Sequence, residues 1–286
     1  MLIHWNGAVT TVEQSRISPL DHGFLYGHGL FETLRVYHGQ PFAWDRHYRR
    51  LQAGATLLEW PKLPRSEDLD RRMQELLTAS GLVEASIRLT LSRGAGAPRP
   101  DPSSCGSLSV VIFAQAYTPP PAEVYQRGWS LQTTGYTRNQ QSPLCRLKSA
   151  NYLENLLAKQ AASRSGAKEA LFLNTRGTVA EGTMSNLFIV EKGCLLTPDI
   201  ASGLLPGITR EIILELARKS DLDVSEEPIS LQRAMESDEV FLSSSLLEIM
   251  PVTLWDGQAV GGDGNITQQL RQLYREQVQK GMCDNG

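Results

Sequence analysis

Three segments in the middle of the chain carry residue types that are unusual for pure scaffolding. In Cys145-Arg-Leu-Lys148-Ser-Ala-Asn-Tyr152, Lys148 lies between an apolar leucine and the start of an amphipathic helix, where its stem is enclosed. In Thr178-Val-Ala-Glu181-Gly-Thr-Met-Ser-Asn186, Glu181 sits inside an apolar strand pattern. Ser202-Gly-Leu-Leu-Pro206-Gly207-Ile208-Thr209-Arg210 opens a helix whose first N–H groups form an anion site. Taken singly, each has a structural reading: a snorkelling lysine, an ion-paired glutamate, a capped helix. Together they permit one chemistry. A lysine that loses its proton forms an imine with an aldehyde. A carboxylate facing a pyridine ring keeps the ring nitrogen protonated and makes the ring an electron sink. A helix N-terminus and an arginine hold a phosphate. Pyridoxal phosphate has those three requirements.

Other chemistries lack their signatures. No GxGxxG, P-loop or HExxH sequence is present, and Gly-Thr-Met-Ser-Asn is not a nucleophile elbow. All five histidines, His4, His22, His28, His38 and His47, fall in the first 47 residues at spacings that match no metal site, so structural or exposed roles are expected and no metal. Without further context Arg50 reads as part of a solvated basic helix face, Arg46-His-Tyr-Arg49-Arg50, and Ser243-Ser-Ser245 as a strand end. In Ala85–Ser92, Ser86, Arg88, Thr90 and Ser92 share one strand face and Ile87, Leu89 and Leu91 the other. The polar face must meet water or a site, so Arg88 either faces solvent or pairs with a substrate carboxylate.

The elements that must position these residues follow from periodicity. Leu2 to Val12 and Glu32 to Ala43 read as hairpins, turning at Asn6-Gly7 and His38-Gly39. A helix after Trp44 takes Asp45 as its cap, and a second runs from Ser66 to Ser80 and ends at Gly81. Strands over Ala85–Ser92 and Ser107–Gln115 lead to Thr118-Pro-Pro-Pro-Ala122, the best candidate linker. Beyond it the pattern predicts strands near Trp129–Thr134, Ala170–Leu173, Leu187–Glu191, Leu195–Thr197 and Glu239–Ser243. Helices are expected over Asn151–Ser165, Thr209–Ser220 and Thr267–Lys280. The expectation is a two-domain mixed α/β fold with largely antiparallel sheets: a small domain over residues 1–117, a linker over 118–127, and a larger domain over 128–286 that carries Lys148.

Composition sets the outer limits. The 286 residues are 41% hydrophobic and 21% charged, which suits about two globular domains at roughly 150 residues each. The 28 basic and 31 acidic residues leave a formal charge of −3, which removes the electrostatic case for nucleic acid or an anionic membrane as main partner. Cys105, Cys145, Cys194 and Cys283 form no close pairs, and no signal peptide or long apolar run is seen, so a reduced, cytoplasmic protein is expected.

The sequence resembles the class IV aminotransferases, the fold type IV enzymes of pyridoxal phosphate. The likeness runs from Asp21-His-Gly-Phe-Leu-Tyr-Gly-His-Gly-Leu-Phe-Glu-Thr33 through His47-Tyr-Arg-Arg50-Leu51 to Leu246-Leu-Glu-Ile-Met-Pro251-Val252. The resemblance implies that Lys148 carries the cofactor and later moves the proton on the substrate α-carbon, and that Glu181 partners the pyridine nitrogen. It implies that Arg50 binds the cofactor phosphate with Gly207, Ile208, Thr209, Ser244 and Ser245, and that Tyr152 reaches the ring hydroxyl. It further implies a homodimer acting on small amino-acid and keto-acid substrates, with each site built between the two domains. Within the family, the segment around Phe31 and Arg-Leu-Lys-Ser-Ala-Asn-Tyr-Leu is similar to aminodeoxychorismate lyases, whereas Ser244 is similar to aminotransferases, and Thr33 departs from the branched-chain subgroup. Arg99 lies near the position at which D-amino-acid aminotransferases hold the substrate carboxylate, although Phe31 replaces a tyrosine common there. The expectation is an aminotransferase of the D-amino-acid kind, with 4-amino-4-deoxychorismate lyase as the alternative and a branched-chain or (R)-amine transaminase as a more distant one.

Overall fold

The computed structural model describes residues 1–262 and 264–283, with the side chains of the last two outside the description, so the expectation for Cys283 lies outside the described side chains. The chain divides into two compact units. One comprises residues 1–118, joined by Leu147–Asn151 and the chain end from Gly281; the other comprises Pro119–Arg146 and Tyr152–Lys280.

The first unit contains β1 (Leu2–Trp5), β2 (Ala8–Thr11), α1 (His22–Tyr26), β3 (Gly29–Tyr37), β4 (Gln40–Pro41), α2 (Trp44–Leu57), α3 (Ser66–Ser80), β5 (Ala85–Ser92) and β6 (Ser109–Ala116). Its sheet runs β2-β1-β6-β5-β3-β4 and is antiparallel throughout. Alternation along β3 turns Leu30, Glu32, Leu34 and Val36 to one face and Phe31, Thr33 and Arg35 to the other. The even face meets α2 and α3: Leu34, Val36, Ile87, Leu89 and Ile112 pack with Leu51, Ala55, Leu69, Met73 and Leu76. Gly81 closes α3 in the left-handed conformation, as a helix-ending glycine should. Asp45 does not cap α2. The helix starts one residue earlier, at Trp44, with Ala43 as its cap in a left-handed conformation and no capping side chain.

The second unit contains α4 (Ala122–Arg127), β7 (Trp129–Arg138), α5 (Leu153–Arg164), β8 (Glu169–Asn174), β9 (Val179–Gly182), β10 (Asn186–Glu191), β11 (Cys194–Thr197) and α6 (Ile208–Lys219). It continues with β12 (Val224–Glu226), α7 (Leu231–Met235), β13 (Glu239–Ser244), β14 (Glu248–Trp255), β15 (Gln258–Ala259) and α8 (Asn265–Cys283). The sheet order is β12-β11-β10-β13-β14-β7-β8-β9, with β15 on β14. The β11/β12, β14/β7 and β7/β8 pairs are parallel, the rest antiparallel. Leu131, Leu171, Val179, Leu187, Val240, Leu242, Val252 and Trp255 form its main core. On α5, Ala158 and Ala162 stand one turn apart and pack with Ala170, Phe172 and Ala180, small residues letting helix and sheet approach closely.

Some expectations shift. The segment read as a linker over 118–127 holds α4, and the five residues around Lys148 pack with the first unit, not with the chain that flanks them. The strand β14 went unpredicted because Pro251 argues against a central strand. Pro251 pairs with Phe241 of β13 and lies just before Val252, where the pairing with β7 begins. Among the described residues, no helix is long and apolar enough to cross a membrane.

Leu34 has no exposed surface and bridges the sheet to the helices. Leu34→Ala is expected to lower the stability of the first unit by about 3 kcal/mol through lost transfer energy and a cavity, measured by urea unfolding.

Candidate functional site

Lys148 is placed by backbone pairing. Its carbonyl accepts the Phe31 N–H at 2.8 Å, the Ala150 N–H donates to the Gly29 carbonyl at 2.8 Å, and Ser149 bridges Leu30. Residues 148–150 thus run extended along β3, and Lys148 stands between buried Leu147 and Ser149. Asn151 closes the segment by donating to the Gly27 carbonyl, 3.0 Å away. Gly27 is left-handed, and a Cβ there would come within 2.7 Å of the Asn151 amide, so glycine is required.

The even face of β3 then explains Glu32. It points among leucines toward α2, 1% exposed, and is met there by His47 and Arg50, three residues apart on one helix face. Arg50 Nε and Nη2 donate to its two oxygens at 2.9 and 2.5 Å, and His47 Nδ1 lies 2.7 Å away. Burial pushes the Glu32 carboxyl up, but the Arg50 charge and the hydrogen bonds from His47 and Arg50 outweigh it and hold it at about 2. Burial brings the His47 imidazole below its ordinary value, against the pull of Glu32, and the Lys148 and Arg50 charges add to the lowering. Arg50 is therefore not a solvated helix face. Glu32 and His47 were missed as functional candidates, and the only signal was their placement inside the matching motifs.

On the odd face, the Arg88 guanidinium lies 3.8 Å from the Phe31 ring centroid and Lys148 Nζ lies 4.7 Å from the same centroid. Thr33 is the register partner of Arg88 and Thr90 that of Phe31, so the stack is a diagonal cross-strand pair. Phe31 is buried and Arg88 exposed. Arg99 is 66% exposed and paired with Asp101 in a loop.

In the second unit Glu181 is 9% exposed on β9. It accepts the Leu205 N–H at 2.9 Å and lies 3.5 Å from Arg138 Nη2. The Leu205 carbonyl accepts from Asn186 at 3.0 Å, so one residue ties the Glu181 strand to the loop that opens α6. Gly207 caps α6 with no capping side chain, and a Cβ there would fall 2.0 Å from Asn186 Oδ1. The backbone can close on this corner only because the residue is glycine. Ile208 and Thr209 form the first turn, both buried, and the Thr209 hydroxyl bonds the Tyr274 phenol of α8, which burial pushes up. The end of β13 lies alongside: Asn186 is the register partner of Ser243, whose buried hydroxyl has no partner among the described residues. Ser244 accepts the Leu247 N–H, and Ser245 begins the turn. The Tyr152 hydroxyl donates to the Thr183 carbonyl at 2.7 Å. Among the described residues no cluster of three metal-ligating side chains occurs.

In the second unit, an uncapped helix N-terminus, a buried hydroxyl with no partner among the described residues and a fixed carboxylate suit pyridoxal phosphate, and in the first unit so does a lysine held by backbone. The Glu32 cluster supplies a test by acid. An acid held below its unfolded value adds stability above about 4.5 and loses it as pH falls to about 2. Glu32→Gln should cost about 3 kcal/mol at pH 7 by stranding Arg50. The gap from wild type should narrow across that window, as read by denaturant titration at each pH.

The family model "Amino-transferase class IV" matches residues 29–255. A Methanocaldococcus jannaschii protein named "Putative branched-chain-amino-acid aminotransferase" is 34% identical over 278 residues, 96% of each chain. The aminodeoxychorismate lyase of Bacillus subtilis is 30% identical, covering 100% of this chain and 97% of its own. A D-alanine aminotransferase of Staphylococcus epidermidis is 31% identical over 96% of each. A branched-chain amino acid aminotransferase of T.th., solved with pyridoxamine 5'-phosphate, superposes with a TM-score of 0.91 at 29% identity, covering 97% of this chain and 93% of that one. The chain belongs to the class IV aminotransferases, the pyridoxal-phosphate-dependent enzymes of fold type IV.

Proposed function

We propose that this protein is an aminotransferase that moves an amino group between an amino acid, of D configuration, and a 2-keto acid. The observation that carries the amino-acid reading is the Phe31 ring, on which the Lys148 amine and the Arg88 guanidinium both lie. One side chain does amine chemistry, and its neighbour is the right group to hold a carboxylate.

Bound pyridoxal phosphate supplies an aldehyde that condenses with amines and a ring that accepts electrons. In this reading Lys148 would hold the cofactor and would move the proton at the substrate α-carbon. Glu181, fixed by the Leu205 N–H, would hold a proton at the ring nitrogen. The first turn of α6, Gly207 to Thr209, would bind the phosphate together with Ser244 and Ser245, and Arg50, whose Nε and Nη2 donate to Glu32, is the arginine proposed for that phosphate. The Tyr152 phenol gives its proton to the Thr183 carbonyl, so it would meet the ring hydroxyl as an acceptor. Arg88, rather than the loop residue Arg99, takes the substrate carboxylate. The D preference rests on Thr33 and Ser244 and on likeness to D-alanine aminotransferases. A homodimer is supported by apolar side chains left exposed on α1 (Phe24, Leu25, Tyr26) and α5 (Leu153, Leu156, Leu157). Three described cysteines are free thiols, which supports a reducing, cytoplasmic location.

A second reading, 4-amino-4-deoxychorismate lyase, is favoured by likeness to the Bacillus subtilis lyase over the whole chain. One experiment separates the two. Holoenzyme is mixed in parallel with D-alanine, L-leucine, (R)-1-phenylethylamine and aminodeoxychorismate, with the cofactor spectrum and products followed. D-alanine should yield pyruvate and the pyridoxamine form, and Lys148→Ala should lose that activity by about 10³-fold or more. Release of 4-aminobenzoate as the dominant activity would overturn the proposal. Gly207→Ala should weaken retention of pyridoxal phosphate by about tenfold, or about 1.4 kcal/mol, measured by absorbance after dialysis.

A further inference from the structure

Arg138, the last residue of β7, has no role in the reading above, yet it is built into the surroundings of Glu181. Its side chain is 12% exposed, and its Nη2 lies 3.5 Å from Glu181 Oε1. Nη1 pairs with Glu154, Nη2 donates to Asn155 Oδ1 at 3.3 Å, and the guanidinium covers the Phe172 ring at 3.9 Å. Its Nε is buried without a partner among the described residues. One cation therefore stands between two carboxylates, the enclosed Glu181 and the more exposed Glu154.

The same helical turn also fixes the chain beyond Glu181. Asn155 donates to the Thr183 carbonyl at 2.7 Å, beside the Tyr152 phenol at 2.7 Å. The Thr183 hydroxyl bonds Glu169, which is fully buried and also accepts the Ala170 N–H. Asn155 thus holds the guanidinium with one end of its amide and the Glu181 strand with the other. Within this unit, Cys145 lies in the combined field of Arg138, Glu181, Glu154 and Arg146, and Tyr152 and Glu169 are the ionisable groups bonded to Thr183.

We infer that Arg138 is a positioning residue that orients Glu181 and offsets part of its charge, with Glu154 and Asn155 holding Arg138 in turn. The inference rests on the reading that Glu181 faces the cofactor ring nitrogen. The guanidinium weakens the pull of Glu181 on a proton at the facing nitrogen, whereas Glu154 draws on the cation and restores that pull. The Arg138–Glu154 pair sets how firmly the ring holds its proton, and neither residue needs to touch the ring.

The test is holoenzyme loaded with ring-¹⁵N pyridoxal phosphate, with the nitrogen shift followed by NMR across pH. Arg138→Gln should raise the midpoint of ring deprotonation by about one pH unit and Glu154→Gln should lower it by about half a unit. Arg138→Lys should restore the wild-type value to within a few tenths. Midpoints that stay put or move in the same direction in the two neutral variants overturn the inference, because a merely structural role predicts no opposition of sign. Glu154 is 44% exposed, so its variant carries the test even if Arg138→Gln does not fold. Glu181→Gln, run alongside, keeps the two readings apart. A wild-type midpoint there sinks the assignment of Glu181 itself, and a lowered midpoint with inert Arg138 and Glu154 variants sinks only the role of Arg138.

Discussion

The backbone pairing of residues 148–150 with β3 is the constraint on which the chemistry of the first unit depends. A lysine on a free loop samples many positions, whereas one on an extended segment bonded at Phe31 and Gly29 has its Cα fixed by the sheet. Because β3 also carries Phe31 on one face and Glu32 on the other, the same strand sets the ring that Lys148 and Arg88 share and the carboxylate that holds Arg50. Strand alternation by itself separates these two jobs by one residue.

Each unit encloses a carboxylate, Glu32 in the first and Glu181 in the second. Glu32 is kept ionised by a forked arginine and an imidazole, all in a setting where an unpaired charge would cost several kcal/mol. Glu181 accepts a backbone N–H and lies near a more distant arginine that a second glutamate shares. The difference in contact matches the proposed difference in task. A carboxylate that orients an arginine gains from tight bonding, whereas one that holds a proton for a ring must keep basicity to spare.

Close approach of backbone explains the corner at α6. Leu205 donates to Glu181 and accepts from Asn186, and Asn186 occupies the space that any side chain at position 207 would need. The helix N-terminus and the carboxylate are consequently not independent features of the second unit: a single loop residue, Leu205, couples the start of α6 to Glu181.

Much of this was legible in the chain. Lys148, Glu181 and the Gly-Ile-Thr helix start stood out because each breaks a local pattern, a cation or carboxylate within apolar periodicity or a glycine ahead of a helix. The strands and helices with clean alternation, such as Ala85–Ser92 and Ser66–Ser80, fell at the expected bounds. Whatever depended on partners distant in sequence did not show. Arg50 looked solvated until Glu32 met it from another element, Arg138 carried no signal, and Lys148 joined the unit that precedes the Pro-rich segment. Asp45 had the composition of a cap, but α2 began a residue too early for it. Local periodicity reports which face of an element is buried; which charged groups meet there is decided only when sheet and helices from separate stretches close on one another, because electrostatic pairing acts through space and leaves no repeat along the chain.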